Sequence, residues 1–133
     1  MTADAADALQ GRARDTLAHF VAVTETADGS LGFEYGGALC SLRAVTLAPG
    51  LDVLALTAVL AWDRPTSTTL HRKVAGKNAA LQFGLVSVIT RGRFADVILR
   101  YTFPAAGLTD EALTTMLLLV LSGVEDSRQG LIP

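Results

Sequence analysis

The run from Leu51 to Trp62 restricts the fold more than any other part of the chain. Read as a strand, it places Leu51, Val53, Ala55, Val59 and Ala61 on one side and Leu54, Leu56, Leu60 and Trp62 on the other, because alternate side chains point to opposite faces. Both sides are apolar. Such a strand belongs inside a sheet, with neighbours at both edges and cover on both faces. Helices of the same chain can supply one cover. The other is left for a partner, a ligand or a second copy.

Turn residues divide the rest. A first segment to about Val21 puts Leu9, Ala13, Leu17, Phe20 and Val21 on one helical face, with Arg12, Arg14 and Asp15 opposite. Thr24 to Ser30 reads as a loop tightened at Asp28-Gly29. A strand from Leu31 to Tyr35 ends at Gly36-Gly37, a pair suited to the positive φ angles of a two-residue hairpin. The second strand, Ala38 to Leu47, ends at Pro49-Gly50, the pair a type II turn requires. Pro65 closes the third strand, and Thr66 or Ser67 can cap a helix with the stripe Leu70, Val74 and Leu81. A hairpin follows: Leu85 to Thr90, a turn at Arg91-Gly92, and a fifth strand, Arg93 to Phe103. That strand sets Ala95, Val97, Leu99, Tyr101 and Phe103 against Asp96, Arg100 and Thr102. Thr109, followed by Asp110 and Glu111, opens the last helix, since an N-cap hydroxyl and early carboxylates favour a helix start. Its apolar residues, among them Leu113, Leu117, Leu118, Leu119 and Leu121, reach most of the way round, a sign of burial on more than one side. The order α-β-β-β-α-β-β-α predicts an α+β fold, an antiparallel sheet packed with helices, in a single domain spanning 1–133.

Half of the 133 residues are hydrophobic and 18% are charged, with a formal net charge of −2. That composition is too apolar for disorder. It gives no electrostatic reason to expect nucleic acid or an anionic membrane. The start, Met1-Thr2-Ala3-Asp4, lacks the basic and apolar regions of a signal peptide. The longest apolar run, Met116 to Leu121, falls far short of the roughly 20 residues that span a bilayer. A cytoplasmic location is expected.

Residues able to do chemistry are scattered. The single cysteine, Cys40, lies in a strand and reads as a buried, inert thiol. His19 and His71 sit in different helices without ligands at metal spacing. Gly76-Lys77-Asn78 lacks the first glycine of a phosphate loop, with His71 in its place. The basic residues Arg64, His71, Arg72, Lys73 and Lys77 read as a solvated helix face. Asp110-Glu111 is explained by the helix start, and Glu125-Asp126 has no apolar pocket to separate two pKa values. Neither an enzyme, nor a cofactor, nor a metal site is expected.

The stretch Lys77-Asn78-Ala79-Ala80-Leu81-Gln82-Phe83-Gly84 carries an Asn late in the middle helix and then an aromatic-Gly step into the next strand. With the Arg91-Gly92 turn, the strand ending Phe103-Pro104 and the opening Leu108-Thr109-Asp110-Glu111, it resembles the type III secretion chaperone-like family, which includes the YbjN proteins. The resemblance runs from about Gly29 to Val124. It implies a small non-enzymatic protein, commonly a homodimer, that binds a segment of another polypeptide. The chain is less acidic than true secretion chaperones. A small-molecule or regulatory module with a pocket against the sheet is the alternative.

If the apolar set of the fifth strand packs on the helices, Arg43, Leu54, Leu56, Trp62, Ile98 and Arg100 are expected to share the opposite face. They would offer apolar ground for anchoring side chains and two guanidinium groups for carboxylates or carbonyls of a polypeptide client. The same face could instead be the dimer interface, or lie under a helix.

Overall fold

The computed structural model describes residues 2–131. The ends of the expected 1–133 domain (Met1, Ile132 and Pro133) lie outside the described residues. The elements are α1 (Thr2–Leu17), β1 (Thr24–Glu25), β2 (Leu31–Tyr35), β3 (Ala38–Ala48), β4 (Leu51–Pro65), α2 (Thr68–Ala80), β5 (Leu85–Arg91), β6 (Phe94–Pro104) and α3 (Asp110–Arg128). The strands form one antiparallel sheet in the order β1-β2-β3-β4-β6-β5. β4 is central, as its two apolar faces require. After it the chain crosses through α2 to the far edge, and β6 returns to pair with β4.

The helices bury one face of this sheet. Leu9, Ala13 and Leu17 of α1, Leu70 and Val74 of α2, and Leu113, Leu117, Val120, Leu121 and Val124 of α3 meet Leu42, Leu54, Leu56, Leu60, Val97 and Leu99 in a continuous core. A fully buried Leu or Val contributes about 1.5–3 kcal/mol, so this layer dominates stability. Arg12 ties α1 to the start of α3. Its guanidinium donates to the Leu108 carbonyl at 2.6 Å and to Asp110 at 2.9 Å.

Local signals behave as their chemistry dictates. Gly36 and Gly37 have φ of 57° and 84°, and Gly50 has 80°. The Ser67 and Thr109 side chains accept from the N–H groups of Leu70 and Ala112. Ser67 therefore takes the cap for which Thr66 was also a candidate.

Three expectations change. Thr24–Glu25, expected as loop, pairs with Gly32 and Leu31 as an edge strand; two residues are too few to show a period. β4 runs on to Pro65, which lies opposite Phe94; an irregular strand end tolerates a proline that lacks an N–H. The hairpin turn falls at Gly92-Arg93, one residue later than expected.

Candidate sheet-face interaction site

The face of the sheet away from the helices is open, and strand register decides which side chains share it. Leu39 lies opposite Val59, and Val59 opposite Ile98. The next row joins Ser41, Thr57 and Arg100, and the one after it Arg43, Ala55 and Thr102. β5 extends the first two rows with Ser87 and Leu85. Leu39, Leu85 and Ile89 are exposed by 52%, 59% and 45%, large values for apolar side chains in a sheet. This is the uncovered face anticipated for β4.

Arg43 and Arg100 stand on this ground across β4, one row apart. With strands about 4.8 Å apart and about 6.8 Å between rows, their backbones are separated by about 12 Å. Neither guanidinium makes a hydrogen bond or ion pair with a described residue. Arg43 acts on Asp28 only through its field; the Asp28 carboxyl is held below its usual range first by the Thr26 hydroxyl and then by Ser30. The carboxylates near the face sit at its margins. Glu34 is on β2, opposite Leu39. Asp96 is held below its usual range first by the Asp63 N–H, and also by Arg91.

Trp62 reaches the open side by a bulge. Ala61 pairs with Val97 and Arg64 with Ala95, so Trp62 and Asp63 together oppose Asp96. Asp63 takes a left-handed φ of 49°, and Arg91 clamps it to Asp96 at 2.6 and 2.8 Å. A non-glycine residue in that region is strained, and the ion pairs hold the kink. Trp62 remains 56% exposed.

The structure thus divides the expected site. Arg43, Ile98 and Arg100 share the open face, and Trp62 joins them through the bulge. Leu54 and Leu56 do not. They lie opposite Phe103 and Tyr101, beneath the helices, with exposures of 0% and 3%. Two things were hidden in the sequence: the pairing that sets Ala55 and Thr57 rather than Leu54 and Leu56 beside Arg43 and Arg100, and a break in alternation before Trp62. The bulge at Leu60 moves Ala61 to the helix side and with it Trp62 to the open side; the second, at Trp62 and Asp63, acts only on the residues beyond them. Val59, Leu85 and Ile89 were missed. Alternation within β5 already separated Leu85 and Ile89 from Val86, and only the pairing order was lacking.

The chemical inventory of the site is small. His19, expected in the first helix, lies in the turn after α1, which ends at Leu17 rather than about Val21, and His71 is on α2; both are exposed. Burial pushes the Cys40 thiol up to about 12, which leaves no thiolate near neutral pH. Among the described residues no three His, Cys, Asp or Glu side chains gather to hold a metal ion.

Comparison with solved structures follows from this geometry. YbjN from E. coli superposes with a TM-score of 0.56 at 11% identity, covering 86% of this chain and 87% of that one. A chain of the ExsC-ExsE complex superposes with a TM-score of 0.54 at 16% identity, covering 98% and 96%. This is the YbjN and secretion chaperone-like fold. No family model and no curated protein matches the sequence, so the likeness is one of fold. None of the described helices is long and apolar enough to cross a membrane.

Proposed function

We propose that this chain is a single-domain, non-enzymatic adaptor that holds a segment of another polypeptide on its open sheet face, acts as a homodimer and works in the cytoplasm. The observation that carries the reading is a largely apolar sheet face bearing two guanidinium groups that pair with none of the described residues. A fold neighbour is itself a chain of a complex between two polypeptides, ExsC and ExsE, which supports a polypeptide as the occupant. Charge selects the client. An extended segment with two carboxylates four residues apart, and so on one side of it, spans about 13–14 Å, close to the separation of Arg43 and Arg100. Self-association rests on Leu118, 42% exposed on the outer side of α3. An apolar interface of ordinary size gains about 25 cal/mol per Å² before the costs of association.

The test uses two labelled peptides, one alternating apolar residues with glutamates and one with lysines in their place. Wild type should take the acidic peptide, with affinity falling as salt rises. Arg100→Glu or Arg43→Glu should each weaken it about tenfold, as loss of a charge-assisted contact implies. Folded variants that bind like wild type would remove the open face as the site. Light scattering reads the assembly separately, and a monomer at high micromolar concentration would contradict the dimer.

A further inference from the structure

A second surface lies away from the open face. Between α2 and α3 runs a groove of about 750 Å³, with Lys73, Gly76 and Lys77 on the α2 wall, Leu119 on the α3 wall, and Leu81 and Phe83 as apolar floor. Residues 73, 76 and 77 share one helical face by their spacing. Two features of this wall are unfavourable for the isolated chain. Gly76 stands inside a helix, where glycine costs about 1 kcal/mol against alanine, and a Cβ there would meet nothing within 4 Å. Lys73 and Lys77 place like charges one turn apart, and Lys77 is held below its usual range first by burial and then by Lys73.

Both ammonium groups converge on one end of the groove. Lys73 Nζ donates to the Gly130 carbonyl at 3.1 Å, and Lys77 Nζ to that of Gln129. An ammonium has three donors, so each retains capacity for an anion. Asp126 also lines the groove, leaving one positive charge in excess. The groove's volume falls in the small-ligand range of about 300–1,000 Å³.

We propose that this groove binds a long-chain carboxylic acid, its carboxylate between Lys73 and Lys77 and its chain along Leu81, Phe83 and Leu119. Gly76 leaves the wall open for the chain. The site is independent of the open sheet face.

Calorimetric titration of the full chain with dodecanoate, below its micelle concentration, tests the proposal. Saturable one-to-one binding is expected. Dodecanol, which lacks the charge, should bind about tenfold more weakly, and Lys73→Gln/Lys77→Gln should show a loss of the same order. Gly76→Leu, which adds a strong helix former and fills the wall, should abolish binding while circular dichroism stays native. If that variant misfolds, the lysine variant and dodecanol decide. Arg100→Glu should bind dodecanoate like wild type, which keeps failure here distinct from failure of the polypeptide reading. Absence of saturable binding, dodecanol binding as tight as dodecanoate, or full affinity in a folded Gly76→Leu protein would overturn the proposal. So would a dimer that Gly76→Leu converts to monomer, because the groove would then be an interface between copies.

Discussion

Asn78 closes the exposed edge of the sheet, and replacing it tests the whole β5 arrangement. Its amide oxygen accepts from the Val86 N–H at 2.8 Å, and its amide nitrogen donates to the Val86 carbonyl at 2.9 Å. One side chain thus does for Val86 what a neighbouring strand would do. A net hydrogen bond is worth about 0.5–1.5 kcal/mol, so Asn78→Ala should cost about 2 kcal/mol. For a chain of 133 residues, an unfolding entropy of about 2.1 cal/mol/K per residue makes that a fall of roughly 7 °C in Tm. Asn78→Asp is more discriminating. It keeps the acceptor for the Val86 N–H but sets a carboxylate against the Val86 carbonyl. That contact disfavours the charged form, so the folded pKa of the new Asp rises above its unfolded value near 3.9. The penalty should be absent below about pH 4, where a protonated Asp can donate to the carbonyl, and complete above the raised folded pKa. Thermal unfolding from pH 3 to pH 8, each point referenced to wild type, reads both effects. If Asn78→Asp matches wild type at pH 7, or shows no relative gain on acidification, the clamp does not hold the edge.

Three further outcomes follow from burial and backbone geometry. Leu56→Asp should unfold the protein rather than merely block a client, because it sets a charge in the core at a site 3% exposed; a native circular dichroism spectrum would contradict this. Cys40, with its thiol raised to about 12 from a usual 9.0, should resist thiol reagents until the protein unfolds. Because the unfolded chain loses this proton first, stability should fall between pH 9.0 and about 12, and Cys40→Ala should flatten that decline in denaturant titrations. Gly37→Ala should cost about 1–3 kcal/mol in the same assay, since φ is 84° and the new Cβ would lie 2.7 Å from the Arg128 guanidinium.

Elements whose signals are local were legible in the chain before any contact was known. A cap hydroxyl at Thr109, the Gly36-Gly37 and Pro49-Gly50 turns, and the alternation of Ala95 to Phe103 act within a few residues, so each can be read without the rest of the fold. The same holds for the central place of β4, because a strand apolar on both faces is unstable at an edge. Tertiary structure alone decided pairing and sidedness. The two-residue β1 exists only because β2 offers it an edge, and Asn78 is a strand mimic only because α2 ends beside Val86. Leu54 and Leu56 went to the core because β4 pairs them with Phe103 and Tyr101, and Trp62 parted from them through a bulge at Leu60 invisible in the hydrophobic pattern. An extra residue costs little locally, yet it reverses the side of every residue beyond it. That is why the open face and its arginines were expected from the sequence while the apolar residues of β4 beside them were not.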